Sequence, residues 1–420
     1  MRTARFVLAA LLILAPAAAR GAVPAADPAF GKAGTVVRTY SELGGSVSSI
    51  ALQPDGKPVL AGRYRIKTTN RNGIGTQAFI SRARSDGSAD ETLAGGVIQR
   101  NGLTKVLVSA DGRIIAGGTP LLARYQPDGT LDEAHAAAVA AATKSFADGF
   151  AFRDFALQAD GKVVVVGTLS PIGSTRSGGP ALGVVRFNGD GSLDAAFGTD
   201  GHVRLPVAAG HENAASAVAL PQGKIALALN NLVDGVRMAT VVRLNADGTP
   251  DRSFGTAGRV GKPDEMTRSL VAQPDGKLLL LTVPSPTGAR SWRMTRFTDR
   301  GEPDASFGSG GVVIQPIADD VGAYPLAVDS DGNILVATTR PPRVSRFRAD
   351  GKPDPRFGEA GALAAASLRA VDAMAIGPDG ALWIAGESAE PSASTAPGRR
   401  GNPAVVRYTG GASPRTAARP

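Results

Sequence analysis

The chain has 420 residues, 43% of them hydrophobic, with 53 glycines, 29 prolines, no cysteine and a formal net charge of +9. That apolar share supports a large core and excludes a disordered polyelectrolyte. The missing cysteine excludes disulfides, thiolate-held zinc, iron–sulfur clusters and thiol catalysis.

In chain order, residues 1–19 have the form of an export signal. Arg2 and Arg5 precede an apolar run of about ten residues from Phe6 to Ala15, too short to span a bilayer. Ala17, Ala18 and Ala19 then supply small residues for cleavage near Ala19. No later stretch reaches about 18 apolar residues, so no membrane-spanning segment is expected in the mature chain. Next comes Asp27-Pro-Ala-Phe30-Gly31-Lys-Ala-Gly34-Thr-Val-Val37, which reads as one short strand with its lead-in turn.

From there one phrase recurs, which is the decisive sequence signal. An apolar strand leads to a turn, usually Asp-Gly, and a second apolar strand. A variable loop follows, then a third strand ending in Arg. A second turn then leads into Asp-x-x-Phe-Gly-x-x-Gly and a short fourth strand. The third copy, over 155–167 and 184–201, is the clearest. The first turn recurs at Asp55-Gly56, Asp111-Gly112, Asp160-Gly161, Gln222-Gly223, Asp275-Gly276, Asp331-Gly332 and Asp379-Gly380. The strand-end arginine recurs at Arg82, Arg124, Arg186, Arg243, Arg296, Arg346 and Arg407. The Phe-Gly element is intact at Phe197, Phe254, Phe307 and Phe357. It is degraded after Asp90, where Leu93-Ala94-Gly95-Gly96 stands, and after Asp132, where Glu133-Ala134-His135 stands.

Asp-Gly between β-rich runs signals a hairpin, because Gly accepts positive φ and Asp tolerates it. Runs such as Val163 to Val166 are apolar at every position, which suits strands covered on both faces. Each copy encodes four short strands in about 55 residues, the size of a propeller blade. The expected fold is all-β: a seven-bladed β-propeller with four antiparallel strands per blade over residues 27–411. The seventh copy stops at Arg407-Tyr408-Thr-Gly-Gly, before its fourth strand. The N-terminal strand should therefore complete the last blade and close the ring, removing open sheet edges. Residues 412–420 read as a disordered tail.

Gln53 to Gly62, Arg186 to Gly201, Arg243 to Gly258 and Gln273 to Gly311 resemble the delta-60 repeat family of bacterial secreted and surface proteins. The resemblance covers about residues 27–411 and implies a β-propeller without a shared reaction.

In six copies an Asp lies eight residues after the Arg: Asp90, Asp132, Asp194, Asp251, Asp304 and Asp354. The intervening hairpin sets the two nearly opposite on adjacent strands, so structural ion pairs are expected. Asp27 would be the partner of Arg407. The Phe of Phe-Gly reads as a blade-to-blade packing residue and its Gly as a positive-φ position. Asn188 to Asp194 and Asn245 to Asp251 have a calcium-loop look but lack the bidentate acid at the twelfth position, and turn chemistry explains them. No cofactor is expected.

The three histidines, His135, His202 and His211, form no two-His motif, and no nucleophile elbow or P-loop occurs. Adjacent acids such as Asp319-Asp320 read as solvated loop residues. In a four-stranded meander both recurrent turns fall on one face of the disc, leaving the variable loops to the other, where binding residues concentrate. The loop from Arg63 to Ala78 carries Arg63, Arg65, Lys67 and Arg71 with Tyr64 among them; Arg176, Arg290, Arg340, Arg399 and Arg400 lie in others. The reading is a secreted or periplasmic, monomeric, non-catalytic binding or scaffold module. Its partner is a protein or an anionic envelope polymer or glycan rather than nucleic acid. The alternative is a lactonase, lyase or glycan hydrolase with its site at the channel mouth; small inner-strand residues such as Ala217-Val-Ala219 and Ala373-Met-Ala375 weigh against it.

Overall fold

A computed structural model describes residues 24–69, 73–93, 97–99, 105–118, 122–144, 150–169, 181–206, 213–284, 291–316, 325–339, 341–392 and 400–410. Two short strands come first, β1 (Ala25–Ala26) and β2 (Thr35–Val37). Blade 1 holds β3 (Gly45–Leu52), β4 (Pro58–Lys67), β5 (Ile74–Arg82) and β6 (Val97–Gln99). Blade 2 holds β7 (Lys105–Val108), β8 (Ile114–Gly117), β9 (Leu122–Tyr125) and helix α1 (Glu133–Thr143). Blade 3 holds β10 (Phe150–Leu157), β11 (Val163–Leu169), β12 (Ala181–Phe187) and β13 (His202–Pro206). Blade 4 holds β14 (Asn213–Ala219), β15 (Ile225–Val233), β16 (Val236–Leu244) and β17 (Arg259–Pro263). Blade 5 holds β18 (Glu265–Ala272), β19 (Leu278–Pro284), β20 (Ser291–Phe297) and β21 (Val312–Pro316). Blade 6 holds β22 (Leu326–Val328), β23 (Ile334–Thr338), β24 (Arg343–Phe347) and β25 (Ala362–Ala364). Blade 7 holds β26 (Leu368–Ile376), β27 (Leu382–Pro391) and β28 (Gly401–Thr409).

The strands form seven antiparallel sheets, each a meander in chain order except blade 7, which takes its outer strands from the N-terminus, and the protein is a seven-bladed β-propeller. First strands of neighbouring blades touch one another, so they wall the ring axis. The ring closes on its N-terminus: β2 pairs with β28 from Thr35↔Val406 to Val37↔Ala404 and serves as the outer strand of blade 7. β1 adds Ala25↔Thr409 to the same edge. Between them Asp27 N–H donates to Arg407 O and Arg407 N–H to Gly34 O, both at 2.9 Å.

Apolar clusters fill the junctions between neighbouring blades. Blades 3 and 4 share Val164, Val166, Phe197, Leu227 and Leu229. At the closing junction, Phe30 and Val36 from the N-terminus pack with Val47 of blade 1 and with Trp383 and Val405 of blade 7. Val163, Val164, Val165 and Val166 are all buried, as strands sandwiched between two sheets require.

Two local features differ from the sequence expectation. In the recurrent Asp-Gly first turns only Gly takes positive φ, as Gly56 does at 82°. Gly56 N–H donates to Gln53 O at 2.8 Å and Gln53 N–H to Lys57 O at 3.0 Å, a type I turn followed by a left-handed bulge residue. Asp55 instead accepts Lys57 N–H on its side chain at 3.1 Å. The exception is Gln222-Gly223, where both φ values are positive, 59° and 71°. Second, blade 2 shows three strands among the described residues. Asp132 caps α1 by accepting His135 N–H at 3.1 Å, and the run that follows is rich in alanine, the best helix former.

Candidate functional site

The recurrent residues converge on one network, repeated around the disc on the face of the short turns. Arg82 Nε donates to Asp90 at 2.8 Å, Arg186 to Asp194 at 2.7 Å, Arg243 to Asp251 at 2.8 Å and Arg296 to Asp304 at 2.9 Å. Arg124 reaches Asp132 and Arg346 reaches Asp354, each at 2.7 Å through Nη2. Arg407 donates to Asp27 across the closure. The lysine that follows several Asp-Gly or Gln-Gly turns is a third partner that residue spacing did not reveal. Lys162 reaches Asp194 at 2.9 Å, Lys224 reaches Asp251 at 2.8 Å and Lys277 reaches Asp304 at 3.0 Å. Burial alone would raise the Asp251 carboxyl, but hydrogen bonds from Lys224 and Ser253 and the Arg243 charge hold it well below the usual range.

The same arginines stack on the Phe-Gly rings, with guanidinium-to-ring distances of 4.5 Å at Phe197 and Phe254, 4.6 Å at Phe307 and 4.8 Å at Phe357. Their other arm leaves the blade: Arg186 donates to Ala246 O at 2.5 Å and Arg296 to Ala349 O at 2.6 Å, both in the next blade's second turn. The Phe-Gly glycine does likewise, Gly198 N–H to Asp247 O at 2.7 Å and Gly255 N–H to Arg300 O at 2.7 Å. Gly31 N–H donates to Asp86 O at 2.8 Å across the closure. A Cβ on Gly198 would lie 2.1 Å from His202 O, at a φ of 61°. The signature thus forms an inter-blade clamp, and these groups are engaged with one another. In the calcium-like loop Asn188 donates to Ser192 Oγ at 3.0 Å and Asp190 accepts Ser192 N–H at 2.9 Å. Among the described residues no three His, Asp or Glu side chains form a metal-type cluster.

His135 takes the Phe place in blade 2. A Cβ on Gly191 in the next blade's turn would meet His135 O at 2.7 Å, much as one on Gly248 would meet the Phe197 ring at 2.9 Å. Burial, reinforced by the Arg124 charge, lowers its pKa from 6.5 to about 4. Below about pH 6.5 the unfolded chain takes a proton that the folded chain refuses, so stability falls until about pH 4, by about 3 kcal/mol. His135→Phe is expected to remove that loss. Urea midpoints at pH 4.5 and 7 check it: an equal acid drop in wild type and variant would contradict the assignment.

On the opposite face, two hairpins extend as ribbons. Pairing of β4 with β5 continues from Arg63↔Ala78 to Lys67↔Ile74, so much of the expected loop is strand. The β15–β16 ribbon ends in Asp234-Gly235 with φ of 49° and 79°, a two-residue turn from Val233↔Val236. The first ribbon presents exposed Arg63 and Lys67 and a half-buried Arg65. Tyr64 is a correction. Strand alternation turns it inward, 5% exposed, onto Tyr40 at 5.5 Å and Phe79 at 6.3 Å, so it belongs to the core. An acid also comes close, since Glu42 lies 3.9 Å from Lys67. Arg400 is paired with the buried Glu387 at 3.8 Å. Arg71, Arg176, Arg290, Arg340, Arg399, His211, Asp319-Asp320, the leader and the tail lie outside the described residues.

Bulges in the first strands add side chains that the sequence reading passed over. Register shifts between Val47/Ser49, Phe152/Asp154 and Thr267/Ser269 leave Ser48, Arg153 and Arg268 exposed on the strands that wall the axis. A cleft of about 230 Å³ opens on the ribbon face between blades 4 and 5, lined by Asn230, Arg237, Met238, Glu265 and Met266 among others.

A family model described as a domain of unknown function (DUF5122) beta-propeller matches residues 109–134, 158–197 and 230–254. These stretches contain Arg124, Asp132, Arg186, Asp194, Phe197, Arg243, Asp251 and Phe254 of the clamp. No curated protein matches the chain. A protein of unknown function from Dyadobacter fermentans is similar in structure at 12% identity and a TM-score of 0.42, over 91% of this chain and 99% of that one. Hadza microbial sialidase Hz136 is similar at 10% identity and a TM-score of 0.44, over 87% of this chain and 65% of that one. Regucalcin, a calcium-binding protein from Agrobacterium tumefaciens, is similar at 13% identity and a TM-score of 0.36, over 91% and 97%. At these levels the likenesses carry no reading of activity.

Proposed function

We propose that this chain is an exported, non-catalytic propeller of the delta-60 repeat type that holds an anionic envelope polymer or glycan on its ribbon face. The asymmetry of the disc supports this. The short-turn face is occupied by the clamp, whereas the β4–β5 ribbon sets Arg63, Arg65 and Lys67 along the opposite face, with Lys67 beyond the last pairing of β4 with β3. Cations set in a row along a paired ribbon concentrate positive potential where a polyanion can track along them.

Retention on an immobilised acidic polysaccharide tests the proposal. Wild type should bind at low ionic strength and elute with added salt, because exposed charges are screened. Arg65→Glu with Lys67→Glu should weaken binding about tenfold or more; replacing two cations with two anions reverses the local field. Equal retention of wild type and variant across the salt range would remove the ribbon from the account.

A further inference from the structure

We infer that the cleft between blades 4 and 5 is a subsite for one acidic sugar unit, a hexuronic-acid type residue held by its carboxylate. The inference rests on the anionic-glycan reading above and names the chemical unit recognised. Arg237 stands exposed at the start of β16, beside the ribbon turn. Its guanidinium touches the Met266 sulfur at 3.6 Å and lies within ion-pair distance of no carboxylate among the described residues. A ligand carboxylate would replace that weak contact with a forked, charge-assisted pair.

The floor is fixed in place. Glu265, its side chain 8% exposed, accepts Arg293 Nη1 at 2.7 Å on one oxygen and Thr282 Oγ1 at 2.5 Å on the other. Each carboxylate oxygen keeps acceptor capacity for a ligand hydroxyl, and Arg293 offsets the charge that would otherwise repel an acidic ligand. Asn230 locks the two blades together, accepting Thr267 N–H at 2.7 Å and donating to Thr267 O at 3.4 Å. Met238 and Met266 supply adaptable apolar walls for the C–H face of a sugar ring. At about 230 Å³ the space suits one ring, below the range for drug-sized ligands. A cation at the rim, an acceptor at the floor and an apolar wall between them match a ring bearing a carboxylate and hydroxyls. A neutral sugar leaves Arg237 unused.

Titration of the full chain with free glucuronate and with glucose, followed by calorimetry, tests the subsite. Glucuronate should bind about tenfold or more tightly than glucose, and Arg237→Ala should level the two. The ribbon variant Arg65→Glu with Lys67→Glu should keep the preference, because neither residue lines the cleft. Equal affinity for the two sugars in wild type, or an undiminished preference in Arg237→Ala, would overturn the subsite. Polymer retention that depends on the ribbon but comes without any glucuronate preference would overturn the subsite alone. A glucuronate preference lost on Arg237→Ala, with polymer retention indifferent to the ribbon, would support the subsite and defeat the ribbon.

Discussion

Asp251→Ala should destabilise the protein by about 3–5 kcal/mol, the range for breaking a buried pair by removing one partner. Asp251 is 4% exposed and Arg243 5%. Without the carboxylate, Arg243 keeps its place over the Phe254 ring but loses its counter-charge, and Lys224 loses its partner. Ser253 also loses the acceptor for its N–H at 3.1 Å and its hydroxyl at 2.6 Å. Arg243→Met combined with Asp251→Leu should cost less than Asp251→Ala alone, because neither member of the buried pair is left charged without the other and Lys224, its side chain 30% exposed, can turn to water. Chemical denaturation of the three proteins at pH 7 reads both comparisons. A loss below about 1 kcal/mol for Asp251→Ala would place the pair among weak surface bridges.

The parts legible in the sequence are those that repeat with fixed spacing. A second turn of constant length places Asp194 across from Arg186 and Asp304 across from Arg296, so a spacing of eight residues along the chain becomes opposition between strands. Phe30-Gly31 could be set beside the seventh copy because it carries the element that copy lacks. Blade 2 was less legible. Asp132 can open a strand lead-in or cap a helix with the same side chain, and only the alanines after His135 decide between them. Tyr64 reads as a surface residue when the stretch around it reads as loop, since a loop carries no alternation, whereas β4 runs through it and turns Tyr64 inward. The cleft had no signature at all. Asn230 and Glu265 line one cleft because two blades stack, and nothing local in either strand marks that juxtaposition.

Deleting residues 24–38 should have the largest effect of all. It removes β1 and β2, the fully buried Phe30 that packs edge-on against Trp383 at 5.0 Å, and Asp27, the partner of Arg407. It also strips the outer edge of β28, leaving Arg407 N–H and Pro403 O without Gly34 O and Arg38 N–H. Unpaired strand edges invite association between chains. A domain's margin is about 5–15 kcal/mol, and loss of the closing junction should consume most of it. The truncated chain is expected to aggregate, or to unfold well below the wild-type midpoint and without a single transition. A soluble monomer melting within a few degrees of wild type would show that closure contributes little.

The most direct measurement of closure is a cross-link. The chain has no native cysteine, so Ala25→Cys with Thr409→Cys introduces one unambiguous pair. The two positions are exposed register partners on β1 and β28, and antiparallel partners lie about 4.5–5.5 Å apart at Cα, within disulfide reach. Mild oxidation of dilute protein should give an intramolecular bond in nearly every molecule and raise the melting midpoint. Free thiols after oxidation, or dimers in place of the internal bond, would contradict a ring closed by its N-terminal strands.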